Sequence, residues 1–285
     1  METGLTRIRI VLVEPAGSLN LGSVARVMKN MGLSQLILVN PQCDRLSPEA
    51  RQMAVHAMDV LEAAQAVKSL PEALQGCQRA IATTGRPHTT LNITLEHPRT
   101  ALPWLLEGNF VSEAHFSSAL IFGREDRGLT NEELNYAQRL IQIPANPLYP
   151  YLNLAQAVAI CCYELHESAR ELERWGDGEN RKGRENSSSS PLPPALPPSP
   201  PLAPLDTLEG YYQQLEALLL KIGYLYPHTA ASRMEKFRRL FNRTYPSLTE
   251  VAMLRGILSQ MEWALQANRS DSKNPFEKPI PPSPP

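Results

Sequence analysis

Three short blocks hold the residue types best suited to chemistry. Asn20, Gly22 and Arg26 stand where an apolar run gives way to a helical pattern; Gly123, Arg124, Glu125, Asp126, Arg127 and Gly128 follow a second apolar run. Ile143, Pro144, Asn146, Leu152 and Asn153 follow a third. Glycine beside a strand-to-helix turn leaves backbone N–H groups open, which suits an anion or a nucleotide. A loop of four charges bracketed by glycines suits a small ligand held through main-chain groups. A nearby arginine orients phosphates and stabilises developing negative charge. Each block also has a plainer account: Asn20 and Asn153 as helix caps, and the four charges as a solvated turn paired within itself. Gly17 and Gly22 are too far apart for the GxGxxG dinucleotide fingerprint.

To bring these blocks together, the strands before them must lie side by side with their C-terminal ends on one rim, where open α/β sheets bind ligands. Apolar runs at 8–13, 36–39, 80–83, 119–122 and 140–143 alternate with amphipathic stretches. This predicts an α/β fold with a mostly parallel sheet and helices on both faces. Val24, Val27, Met28 and Met31 form the stripe that docks the first helix, and Arg26 falls on another side. Thr130 followed by Glu132 and Glu133 reads as a helix N-terminus. Composition breaks after Trp175: four serines, Ser187 to Ser190, precede a stretch from Pro191 to Pro204 in which eight of fourteen residues are proline, so it cannot build a core. Helical periodicity resumes at Leu205, and the end from Ser270 is again polar and proline-rich. The expected organisation is an α/β domain at 1–175, a disordered Ser/Pro-rich linker at 176–204, a small all-α domain at 205–269 and a proline-rich tail at 270–285.

The chain has 285 residues, 42% of them hydrophobic, and a net charge of −1, so any nucleic-acid surface must be local. One local candidate is the segment from Arg233 to Arg243, with five basic residues against one acidic. There Met234, Phe237 and Phe241 form an apolar seam, while Lys236, Arg239 and Arg243 form a separate stripe able to track phosphates or simply to face solvent. No run is long enough to span a bilayer, and the N-terminal residues lack the pattern of a signal peptide. Cys43, Cys77, Cys161 and Cys162 show no CxxC spacing, the adjacent pair reads as core, and the six histidines show no ligand spacing. A cytoplasmic, reduced, metal-free protein without membrane contact is expected.

In this order the three blocks resemble the signature of the SPOUT methyltransferases in their SpoU, or TrmH, branch. Asn20, Gly22 and Arg26 meet an NxGxxxR motif; Phe122, Gly123, Glu125, Gly128 and Leu129 meet FGxExxGL; Ile143, Pro144, Leu152, Asn153 and Ala157 meet IPxxPxxxxLNLAxAV. Beyond the proline run, the stretches from Tyr211 to Leu215, Ile222 to Tyr224, Met234 to Arg243 and Leu254 to Leu258 resemble the C-terminal domain of the TrmJ group of tRNA cytidine/uridine 2'-O-methyltransferases.

The resemblance implies a SPOUT-type sheet ending in a trefoil knot, a homodimer with the active site near the subunit interface, and S-adenosylmethionine as cofactor. It places the cofactor against Thr83, Thr84, Gly85, Gly123, Glu125, Ile143, Leu152 and Asn153. It further implies methylation of a ribose 2'-hydroxyl in tRNA, at the pyrimidine of position 32 in the anticodon loop. Arg26 would orient phosphate and ribose and stabilise the alkoxide, with Asn20 and Glu125 fixing its position. RNA contacts would come from Arg26, Tyr151, Lys236, Arg239 and Arg243. Tyr151 stands where the family usually has serine, either stacking on a flipped nucleotide or packing in a core or interface. The alternatives are methylation of another tRNA or ribosomal RNA nucleotide, and a non-catalytic RNA-binding protein on the same scaffold.

Overall fold

All five apolar runs become strands, and two short polar strands extend the sheet to either side. In the computed structural model, residues 4–85, 94–107, 117–182 and 201–271 are described. The elements are β1 (Ile8–Val13), α1 (Ser18–Asn30), β2 (Gln35–Val39), α2 (Pro48–Ala54), α3 (Met58–Ala63), β3 (Gln65–Val67), α4 (Leu70–Ala73), β4 (Cys77–Thr83) and β5 (Leu95–Glu96). They continue with α5 (Pro98–Ala101), β6 (Ser117–Phe122), α6 (Asn131–Leu134), β7 (Arg139–Ile141), α7 (Leu154–Lys182), α8 (Leu205–Lys221), α9 (Ala230–Asn242) and α10 (Leu248–Asp271).

The seven strands run in the order β3-β2-β1-β6-β4-β7-β5, and each adjacent pair is parallel. Leu12 lies opposite Leu38 and Phe122, and Ala82 opposite Ile121 and Leu140, so the strand ends before the three motif blocks share one rim. α7 follows β7 yet returns across the sheet to pack on α1, carrying 143–154 past the 122–129 loop. This crossing is consistent with the implied knot.

Alternation along the strands decides what each face buries. Ile10, Leu12, Leu120 and Phe122 pack with Leu21, Val24 and Met28 of α1 and with Val158, Cys161, Cys162 and Leu165 of α7. The adjacent cysteines are thus core residues, as expected, and burial pushes the Cys162 thiol up to about 12. Val11, Val13, Ala119 and Ile121 face the other way, against Leu208, Tyr211, Tyr212 and Leu215 of α8 and Met234 of α9.

The helices beyond the proline run pack as a second layer over the sheet. Without them, this apolar face would lose its cover, at about 25 cal/mol for each Å² returned to water. α7 continues to Lys182, and Ala203 is already buried, its N–H donating to the Pro246 carbonyl at 2.9 Å. The serine run, most of the proline run and residues 272–285 lie outside the described residues. Among the described residues, no helix is long and apolar enough to cross a membrane.

Candidate functional site

The first block differs from its expected cap. α1 begins at Ser18 with Gly17 as N-cap, so Asn20 lies inside the first helical turn. The capping role falls to a carboxylate from the second block: Glu125 accepts from the N–H of Ala16 at 3.1 Å and of Gly17 at 3.0 Å. This leaves the Asn20 amide free to bridge. Its Nδ2 donates to Glu125 at 3.2 Å, and its Oδ1 accepts from Asn153 Nδ2 at 2.9 Å. Asn153 in turn caps α7, its Oδ1 accepting from Ala155 N at 2.9 Å, while its own N–H donates to Gln156 at 3.3 Å. One hydrogen-bonded chain, Glu125–Asn20–Asn153, thus ties together blocks more than a hundred residues apart in sequence. Gly22 serves a different purpose from a ligand approach. A Cβ there would sit 2.2 Å from the Ala50 carbonyl oxygen, so this glycine lets α2 cross α1 closely.

Burial opposes the charge on Glu125, but the Ala16 and Gly17 amides, its own N–H and Asn20 outweigh that effect and hold its carboxyl below the ordinary value. It is ionised at neutral pH. The second block is rigid. A Cβ on Gly123 would lie 2.2 Å from the Gly128 carbonyl carbon, and Gly128 takes φ +70, a left-handed conformation open to glycine. Gly128 N donates to Arg124 O at 2.9 Å and closes the loop.

The charges of the loop do pair: Arg124 with Asp126 at 2.9 Å, and Arg127 with Glu14 at 2.9 Å and Glu133 at 3.1 Å. Glu133 also completes a capping box with Thr130, the predicted helix start, although α6 lasts a single turn. Glu14, which does not line the cavity, supports the loop through Arg127, a contact that the sequence did not reveal. It follows β1 with φ 48, and the Arg127 hydrogen bond chiefly holds its carboxyl below the ordinary value.

The loop and the third block enclose a cavity of about 380 Å³. Thr83, Thr84, Gly85, Gly123, Glu125, Ile143 and Leu152 all line it, seven of the eight residues expected at the cofactor. Asn153 does not line the cavity; it stands behind, in the hydrogen-bonded chain. Leu129 and Leu154 add apolar wall. Tyr151 is 58% exposed at the mouth, so it is not a core residue. Its ring lies beside Gly85, where a Cβ would be 3.9 Å from Cδ1. Arg26 is exposed on α1 and lines no part of the cavity.

The expected basic stripe on α9 divides. Lys236 and Arg243 are exposed, but Arg239 is half-buried, donating to Glu235 at 3.2 Å and Asn135 at 3.4 Å. Arg239 is therefore a docking contact of α9 on the turn after α6. Arg238 instead ties α9 to α8, pairing with Glu209 at 2.5 Å and lying 4.6 Å from the Tyr212 ring centre. Among the described residues, no group of three or more His, Cys, Asp or Glu is placed to hold a metal ion.

With this geometry in view, the comparisons with known proteins are specific. Residues 7–163 match the SpoU rRNA Methylase family, and residues 206–272 match the tRNA methyltransferase TrmJ C-terminal domain. The chain is 41% identical over 265 residues to the tRNA (cytidine/uridine-2'-O-)-methyltransferase TrmJ of Pectobacterium atrosepticum, covering 90% of this chain and 98% of that one. It is 39% identical over 260 residues to the tRNA (cytidine/uridine/adenosine-2'-O-)-methyltransferase TrmJ of Pseudomonas aeruginosa, covering 90% and 95%. Among solved structures, TrmJ from Z. mobilis superimposes with a TM-score of 0.71 at 29% identity, over 89% of this chain and 98% of that one.

Proposed function

The chain belongs to the SpoU methylase family and to its TrmJ group, and from that premise we propose that it methylates a ribose 2'-hydroxyl of tRNA, at the pyrimidine of position 32, using S-adenosylmethionine. The observation that carries the reading is the Glu125–Asn20–Asn153 chain, which fixes all three motif blocks around one cavity. Its volume falls within the usual range for small-molecule sites, about 300–1,000 Å³. The residues present fit the cofactor: Leu129, Ile143, Leu152 and Leu154 offer apolar cover, and the Gly123 to Gly128 turn offers main-chain groups.

S-adenosylmethionine, when bound, supplies an activated methyl group on a sulfonium centre. What the chain adds is alignment of the ribose and stabilisation of its 2'-oxygen as the proton leaves. Arg26 has this role. A guanidinium with pKa above about 12 is no general base, but its fork of donors holds a phosphate or a developing alkoxide. Asn20, six residues earlier on α1, is locked by Glu125 and Asn153 and so fixes the position of that helix. Because Arg26 lies outside the cavity lining of its own chain, a homodimer with the active site near the subunit interface accommodates its role. Tyr151 sits at the mouth, where its exposed ring is placed to stack on the target base.

Radiolabelled methyl transfer to unmodified tRNA transcripts carrying C, U, A or G at position 32 tests the proposal. Incorporation into the C and U transcripts supports it, and the A transcript separates the two specificities named among the relatives. No incorporation into any transcript, with cofactor binding demonstrated, refutes it.

A further inference from the structure

We propose that the turn between α8 and α9 is a second RNA contact, a platform on which Tyr224, Tyr226 and His228 stack unpaired nucleotides of the substrate away from the target ribose. The inference rests on the RNA-directed activity proposed above and adds a surface that the motif blocks do not include.

The turn is built to present rings. α8 ends in a reversal around Gly223 at φ +77, with Gly223 N donating to Leu220 O at 3.2 Å and Tyr224 N to Leu219 O at 3.0 Å. The extra bonds satisfy carbonyls at the helix end and fix the chain direction. Leu225 is buried in the second core, which turns its neighbours outward: Tyr224 is 54% and Tyr226 55% exposed. Tyr226 O accepts from Thr229 N and Ala230 N at 2.9 Å each, so the backbone is held on the α9 side as well. The rings are already ordered. Tyr226 and His228 stack at 6.0 Å with 23° between planes, and the Arg233 guanidinium lies 5.8 Å from the Tyr224 ring centre while donating to the Tyr224 carbonyl at 3.0 Å.

Two exposed tyrosines in three residues leave apolar faces in water, and the surrounding charge indicates what covers them. No acidic residue occurs from Ala217 to Met234, where Lys221 and Arg233 stand. Glu235, the next acid, is paired with Arg239, and Lys236 beyond it is exposed. In a chain of net charge −1, this is a locally cationic stretch, with Arg233 set directly at the Tyr224 ring. That combination binds single-stranded nucleic acid: cations track the backbone, and rings stack bases without reading their identity. A face that docked another protein would not require the cationic stretch.

The test is the Tyr224→Ala/Tyr226→Ala double variant of the full chain, beside Tyr224→Phe/Tyr226→Phe. Both positions are exposed, so unfolding transitions should be unchanged. The Ala pair should weaken binding of unmodified tRNA transcripts at least about fivefold, the lower end expected for one lost stacked base. It should raise KM with kcat preserved and leave the salt dependence of binding unaltered, because no phosphate contact is removed. The Phe pair should behave as the parent protein.

Parent-like tRNA affinity in the Ala pair overturns the platform, as does equal loss of binding to a fully paired RNA duplex, which offers no open base face. A changed oligomeric state with unchanged RNA affinity assigns the rings to a protein interface and overturns it too. The two readings fail separately. If the parent protein transfers no methyl group but the Ala pair still weakens binding to single-stranded RNA, the platform stands without the proposed reaction.

Discussion

Replacing Gly123 by alanine puts the geometry of the 123–128 loop and its proposed cofactor role to a stringent test. The added Cβ would meet the Gly128 carbonyl carbon at 2.2 Å and Leu129 N at 2.3 Å. Carbon atoms in contact sit at about 3.5 Å or more, so the two arms of the loop must part by at least about 1.3 Å. Strand β6 cannot supply this movement, because Phe122 is fully buried between packed layers. The movement must therefore open the Arg124 to Gly128 closure and displace the cavity wall. Overpacking of this kind costs about 1–3 kcal/mol, which for a chain of this size lowers the unfolding midpoint by roughly 2–5 °C. Cofactor affinity should fall at least about tenfold, since a shift near 1 Å is enough to spoil a positioned site. Calorimetric titration with S-adenosylmethionine and thermal unfolding read both effects. Gly256→Ala is the control: it lies within α10 with nothing within 4 Å of the added atom, so stability should hold or rise slightly. If Gly123→Ala bound the cofactor within twofold of the parent and melted at the same temperature, the loop would not form the cavity wall as described.

The remaining expectations follow from the same contacts. Glu125→Gln sets an amide NH2 against either the Ala16 donor or the Gly17 and Asn20 donors, and should lower the unfolding midpoint by a few degrees. Because the folded carboxyl sits below its ordinary 4.5, the parent's advantage over this variant should be fully present above that pH and shrink as pH falls through the folded value. Arg26→Lys should cut kcat at least about tenfold with cofactor affinity intact, because lysine cannot reproduce the planar fork; near-normal turnover would remove Arg26 from its role. Lys236→Ala should reduce the salt slope of tRNA binding by about 1, whereas Arg239→Ala, losing contacts to Glu235 and Asn135, should lower stability and leave that slope alone. Truncation after Lys182 should give an aggregating product by light scattering, because Val11, Val13 and Ile121 lose their cover.

The core strands were legible because central parallel strands are buried on both faces and therefore read as continuous apolar runs. β3 and β5 were not, since Gln65–Val67 and Leu95–Glu96 are too short and too polar to stand out. Thr130 announced its helix through local capping chemistry. Asn20 misled for a tertiary reason: α1 starts earlier, at Ser18, where Glu125, more than a hundred residues away, binds the Ala16 and Gly17 amides, and Asn20 bridges Glu125 and Asn153 instead. Motif order grouped the residues expected at the cofactor, and the cavity lining includes all of them but Asn153. Arg239 and the second layer were hidden by one effect. An amphipathic helix shows that it has an apolar face but not which surface that face will cover, so the packing of α8 and α9 on the sheet could not be read from their periodicity.

The most direct measurement of the central claim is mass mapping of tRNA after reaction with S-adenosylmethionine carrying a deuterated methyl group. One label per transcript is predicted, on the ribose fragment of nucleotide 32, with incorporation strongly reduced by Arg26→Ala although cofactor binding persists. A label on a base, or none while the cofactor is bound, would contradict the account.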